Sequence, residues 1–234
     1  MIAFLTYDSV VSALAVAGLA SRGGFHPRRS DDFGDHADFR VRTVVLAGNV
    51  AGSLWPWFVR DREDEPDPLD AWSKRVLGGV AGELPGRVAA VFPSDKPYLP
   101  FQDWAMRADN VYPSPIGPLI HPVFGMWHAY RGALLLEERL DLPPVEPLPS
   151  PCVTCEDKPC LSTCPVGALT ASRGLDVAAC VDHLQTDDGD ACFEAACLAR
   201  AACPVGAGFN YAPDQARFHM EAFLKARLAA QATD

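Results

Sequence analysis

Residues 152–168 read CVTCEDKPCLSTCPVGA, and residues 192–207 read CFEAACLARAACPVGA. Together with Cys180 these stretches hold all eight cysteines of the chain, and the first 151 residues hold none. The pentapeptide Cys-Pro-Val-Gly-Ala closes both stretches, at 164–168 and 203–207, and Cys-Leu precedes it in both, at Cys160-Leu161 and Cys197-Leu198. That is an internal repeat. A chain of 234 residues that is 49% hydrophobic and 21% charged buries a core without a disulfide framework, so the thiols call for chemistry rather than stapling.

The first stretch is spaced Cys152-x2-Cys155-x4-Cys160-x3-Cys164-Pro165; the later cysteines are Cys180, Cys192, Cys197 and Cys203-Pro204. In two-cluster ferredoxins the Cys before such a proline turns away to ligate the other cluster, because the proline fixes φ and removes a backbone donor at the turn. By this exchange rule Cys152, Cys155, Cys160 and Cys203 serve one 4Fe-4S cluster, and Cys164, Cys180, Cys192 and Cys197 serve a second. The alternatives are a single cluster, structural zinc sites using Cys152 and Cys155, or core thiols. Zinc ribbons lack the repeated Cys-Pro ending, and eight thiols are too dense for chance.

Outward from the cysteines, residues 141–151 (DLPPVEPLPSP) hold five prolines in eleven residues, a stiff connector that places a domain boundary there. Ahead of it, residues 1–140 form the N-terminal domain; behind it, residues 152–234 form the cysteine domain, ending in a helical pattern from Pro213. Residues 8–22 read as a helix capped by Asp8 or Ser9 and ended by Gly23-Gly24, followed by a polar loop over 26–40. Residues 41–48 (VRTVVLAG) read as a buried strand, 69–84 as a helix with Trp72, Val76, Leu77 and Val80 on one face, and 87–92 and 133–136 as further strands. Trp55, Trp57 and Phe58 read as core packing, with one wall of a planar-ligand site as the alternative. The proline-rich stretch 93–122 is not regular structure throughout. The expected class is α+β.

Residues 120–132 read IHPVFGMWHAYRG. This resembles the pattern I-H-P-x-F-G-x-W-x-A-x-R-G of the cobalamin-processing methylmalonic aciduria and homocystinuria type C family, matched at Ile120, His121, Pro122, Phe124, Gly125, Trp127, Ala129, Arg131 and Gly132. The run 152–165 resembles the bacterial ferredoxin signature in its longer x4 form. The whole arrangement, cysteines included, is similar to the epoxyqueuosine reductase family. The resemblance implies a nitroreductase-like α/β domain followed by a small dicluster ferredoxin-like domain, with cobalamin bound in the first and His121 and Arg131 as cofactor-binding candidates. By their chemistry alone, His121 is also a structural hydrogen-bonder held extended before Pro122, and Arg131 also an ion-pair partner; Phe124 and Trp127 read as packing.

A formal net charge of −10 argues against a nucleic-acid surface. The apolar run 9–20 is too short to span a bilayer and has no basic segment before it, so a cytoplasmic protein with no membrane association is expected, in a compartment where thiols stay reduced. The leading expectation is an iron-sulfur protein that passes electrons to a cobalamin-type cofactor or small substrate, with a redox partner protein. A plain ferredoxin-type electron carrier without organic cofactor is the alternative, and a flavin in the first domain a third.

Overall fold

A computed structural model describes residues 4–232. The chain divides into two compact units: residues up to Asn110 together with His128–Pro147, and Val111–Trp127 together with the chain from Leu148. The passage from one to the other after Pro147 lies inside the proline-rich connector. The stretch Val111–Trp127, placed by sequence in the N-terminal domain, groups instead with the cysteines.

The first unit is built on helix α1 (Tyr7–Val16), strands β1 (Ala20–Phe25) and β2 (Thr43–Val50), helices α2 (Trp55–Asp61) and α3 (Pro68–Glu83), and strand β3 (Val88–Val91), followed by helix α4 (Phe101–Ala108). The second unit contributes the hairpin of β4 (Tyr112–Pro113) and β5 (Leu119–Ile120), after which β6 (His128–Leu136) returns to the first. β1, β2, β6 and β3 form one sheet in that order, every neighbouring pair antiparallel. The near-continuous apolar run of β2 reports burial on both faces: Val44, Val45, Leu46 and Ala47 are fully buried, as are Ala133 to Leu136 opposite them.

Three elements differ from expectation. The helix predicted over 8–22 stops at Val16, because Gly18 takes φ +79°, and the chain then turns into β1, whose Ser-Arg-Gly-Gly composition carries little strand propensity. Its cap is Thr6 rather than Asp8 or Ser9: the Ser9 N–H donates to Thr6 Oγ1 at 3.1 Å and the Thr6 N–H to Ser9 Oγ at 3.0 Å. α4 lies inside the proline-rich stretch, burying Phe101, Trp104, Ala105 and Ala108 at helical spacing. The strand predicted over 133–136 begins at His128. As expected, α3 buries Trp72, Leu77 and Val80, and Phe58 of α2 packs edge-on against Trp72 at 6.1 Å between ring centroids.

Buried charge is paired in this unit. Arg22 of β1 reaches Asp109 at 2.5 Å, and the Tyr130 hydroxyl of β6 donates to the same carboxylate at 3.3 Å. Burial, with the Asp109 charge beside it, pushes the Tyr130 phenol far up, so it stays protonated. The loop over 26–40 is pinned by Asp31, whose two oxygens each accept from Arg107 at 2.9 Å, with the Arg28 N–H donating at 2.6 Å. Burial pushes the Asp31 carboxyl up, but the hydrogen bonds from Arg107 and Arg28 outweigh it and hold it below the usual range. A carboxylate depressed in the folded state stabilises the fold above its unfolded pKa and loses that contribution as pH falls through the folded value. Asp31→Asn is therefore expected to cost about 1 kcal/mol at pH 7, with the gap from the parent closing as pH falls below about 4. Urea unfolding across that range checks it.

The second unit continues with helices α5 (Pro151–Thr154) and α6 (Pro159–Ser162), the hairpin of β7 (Leu169–Thr170) and β8 (Gly174–Leu175), and helices α7 (Val177–Leu184), α8 (Asp190–Glu194), α9 (Leu198–Ala201) and α10 (Pro213–Gln231). The expected C-terminal helix from Pro213 is α10. Its residues Met220, Phe223 and Leu224 pack on a cluster of Leu184, Cys192 and Phe193. No helix among the described residues is long and apolar enough to cross a membrane.

Candidate metal centres

Each cysteine sits on or beside a short helix. Cys152 lies in α5 and Cys155 just after it, Cys160 in α6, Cys180 in α7, Cys192 in α8, and Cys197 immediately before α9; Cys164 and Cys203 follow α6 and α9, each before its proline. Single-turn helices are not stable by propensity alone, so α5, α6 and α9 are held by what they pack against. α6 packs on α9, which brings the two copies of the repeat face to face. No thiol is in a disulfide.

The electrostatics sort the thiols into two sets of four. Burial pushes the Cys152 thiol up, with Cys203 and Cys155 adding to it; Cys160 is pushed up by burial and by Cys203, Cys152 and Cys155. Burial also raises Cys203, partly offset by the Val205 N–H, with Cys155 adding to the rise. In the other set Cys180 is pushed up to about 11 by burial and then by Cys197, Cys164 and Cys192. Cys192 is raised by burial, eased by the Leu198 N–H, and raised further by Cys197 and Cys164. Each perturbed thiol thus feels members of its own set, and the partition crosses chain order: Cys203 joins the first three cysteines, and Cys164 the later ones.

The donor chemistry suits iron-sulfur ligation. Sulfur ligands to such clusters commonly accept backbone N–H bonds, and here the Ala168 N–H donates to Cys164 Sγ at 3.4 Å, beside the Val205 and Leu198 donors. Among the described residues no group of three or more His, Cys, Asp or Glu side chains is placed to hold a single metal ion. The first set instead lines one shared space together with Ile120 and Met126. Raised thiols such as those of Cys152, Cys160, Cys180, Cys192 and Cys203 give up their protons only against a strong positive charge, so loading a metal on them would release protons.

The remaining candidates are engaged in local structure. His121 forms a backbone bridge with Gly125, and its Nδ1 accepts from the Val123 and Phe124 N–H groups at 3.0 and 3.2 Å, which places the ring proton on Nε2. Its ring stacks on Phe124 at 4.4 Å. Arg131 lies in β6 of the sheet unit, its Nη1 4.0 Å from Asp70 Oδ1, whereas His121 belongs to the cysteine unit. Phe124 and Trp127 pack as expected, against Phe209 and Tyr211.

Sequence reasoning missed several residues of this unit. Arg200 lies over the rings of Trp127 and Tyr211, 4.2 and 4.8 Å from their centroids, and donates to the Met126 carbonyl, tying 111–127 to α9. The Tyr112 hydroxyl donates to the Leu148 carbonyl. Lys158 lines the same space as the first thiol set. The sequence signal was present for Arg200, midway between Cys197 and Cys203, but not for its aromatic partners.

No protein-family model matches the sequence, and no curated protein does. Among solved structures, epoxyqueuosine reductase from Streptococcus thermophilus aligns with a TM-score of 0.50 at 12% identity, covering 87% of this chain and 66% of that one. Epoxyqueuosine reductase from Bacillus subtilis gives 0.49 at 13% identity, over 88% of this chain and 66% of that one. A selenomethionine-labelled epoxyqueuosine reductase gives 0.46 at 16% identity, over 73% and 50%. This chain thus spans between 50% and 66% of the length of those structures. The likeness to the Streptococcus thermophilus structure is one of fold, and that fold is mixed α+β, the class expected from the sequence.

Proposed function

We propose that this chain is an iron-sulfur redox protein, with one 4Fe-4S cluster held by Cys152, Cys155, Cys160 and Cys203 and a second by Cys164, Cys180, Cys192 and Cys197. The observation that carries the reading is that Cys203 lines one space with Cys152, Cys155 and Cys160, a grouping that crosses chain order as the two-cluster ferredoxin pattern does and a chain-order pair of zinc sites does not. Such clusters, when bound, supply one-electron transfer. The chain's own work is to converge the thiols, donate N–H bonds to Cys164, Cys192 and Cys203, and keep water from the first set with Ile116, Ile120, Met126 and Leu169. A reducing compartment such as the cytoplasm suits eight free thiols.

The electrons would serve a cobalamin-type cofactor or a small substrate of the N-terminal domain, delivered by a redox partner protein. The motif of residues 120–132 and the reductase fold support this finer reading, with a nitroreductase-like N-terminal domain and Arg131 of its strand β6 as the residue to hold the corrinoid. A second reading, a ferredoxin-type carrier with no organic cofactor, is favoured by the engagement of His121 Nδ1 with backbone N–H groups and of Arg131 with Asp70.

Anaerobic purification followed by iron, sulfide, zinc, cobalt and flavin analysis separates the readings. About eight iron and eight sulfide per chain are expected; zinc in place of iron overturns the proposal. Added hydroxocobalamin is expected to bind with shifted corrin bands. An unshifted free-cobalamin spectrum at saturating protein removes the corrinoid and leaves the carrier, and a yellow protein that releases a fluorescent cofactor on denaturation points to flavin.

A further inference from the structure

We propose that Lys158 makes the set of Cys152, Cys155, Cys160 and Cys203 the more easily reduced of the two, by holding a positive charge beside thiolates that it does not itself help to ligate. The inference rests on the two-cluster reading above.

Lys158 is the one charged residue among those lining the space that the four thiols share; no carboxylate lines it. Its backbone is left-handed, φ 39° and ψ 58°, a conformation that is strained for a residue with a Cβ and that glycine takes freely. Strain of this kind persists where the surroundings over-determine it, and it clusters at functional sites. Here Lys158 occupies the N-cap of α6, its carbonyl accepting the Leu161 N–H at 2.9 Å, so the turn that starts this helix also sets where the lysine stem leaves the backbone.

The helix N-caps beside the second set, at α9 and α7, supply no cation. The N-cap of α9 also has a positive φ, 81°, but it is Cys197, a member of the set itself. The N-cap of α7, the helix carrying Cys180, is Asp176, an anion whose carboxylate accepts the Ala179 N–H at 3.1 Å. In keeping with this, Lys158 is the cation that opposes the rise of Cys152, whereas the influences on Cys180 are burial and three thiols.

Reduction adds one negative charge to a cluster, and a nearby fixed cation favours the form that carries it. Lys158 is exposed, so its effect is screened by salt and falls as ionic strength rises.

The test is an anaerobic redox titration of the full chain followed by EPR, after iron and sulfide have been measured. Two separate reduction steps are expected. Lys158→Gln is expected to lower the higher step alone, by less at high salt, and Lys158→Arg to restore it. Lys158→Gly removes the charge while relieving the left-handed backbone, so a fold defect in the glutamine variant does not decide the result. A single step in the parent protein, or charge-removing variants that move the lower step or neither, overturns the inference while the two-cluster reading stands. Absence of iron and sulfide from the parent overturns both.

Discussion

Cys203→Ala is expected to remove the cluster served by Cys152, Cys155 and Cys160, and to leave intact the one served by its nearer neighbours Cys192 and Cys197. Cys164→Ala is expected to do the reverse. On the proposed two-cluster reading each variant should lose about half of the iron and sulfide, since each removes one ligand of one cluster. Double variants decide the pairing. Cys203→Ala with Cys160→Ala should still hold about half of the iron, because both ligands belong to one set; Cys203→Ala with Cys192→Ala should hold almost none. Pairing by chain order predicts the opposite for both. The physical basis is the packing of α6 on α9, with each Cys-Pro ending turning its thiol toward the other half of the repeat. Iron and sulfide analysis with EPR of the reduced variants reads the outcome.

Gly206→Ala is expected to destabilise the protein by about 3–5 kcal/mol, and Gly167→Ala, at the same place in the other copy of Cys-Pro-Val-Gly-Ala, by only about 1 kcal/mol. Both glycines are left-handed, at φ 79° and 60°, so both substitutions carry the same backbone penalty. Their surroundings differ. A Cβ on Gly206 would stand 2.4 Å from the Phe124 carbonyl carbon and oxygen and 2.6 Å from the Gly125 nitrogen, all backbone atoms that no rotamer change can move. A Cβ on Gly167 meets nothing within 4 Å. Because Phe124 and Gly125 belong to the stretch that brings Ile120 and Met126 to the first thiol set, Gly206→Ala should also loosen iron from that set, whereas Gly167→Ala should leave both sets loaded. Thermal unfolding under anaerobic conditions, with iron counted before and after, separates the two.

Much of the cysteine unit was legible because the spacing of the cysteines and the Cys-Pro repeats are local features. The helix over α3 was legible for the same reason, since Trp72, Leu77 and Val80 repeat with the helical period. α4 carried that period too, at Phe101, Trp104, Ala105 and Ala108, but the prolines flanking it masked the pattern. β1 carried no comparable signal: Ala-Ser-Arg-Gly-Gly-Phe is a strand because β2 offers it an edge, and Gly18 frees it from α1. The start of β6 was hidden because His128, Tyr130 and Arg131 are polar residues paired through sheet register and buried partners rather than through alternation.

The spacing of the eight cysteines, the repeated Cys-Pro ending and the mixed α+β class could all be read from the chain alone, because thiol spacing, prolines and apolar periods act over a few residues. The folded chain alone reveals that 111–127 groups with the cysteines, that His121 Nδ1 is taken up by its own turn, and that one of two identical pentapeptides is locked against Phe124 and Gly125 while the other is open. Those outcomes depend on which distant backbone comes within a few ångströms, and close packing, unlike local spacing, is a property of the folded chain alone.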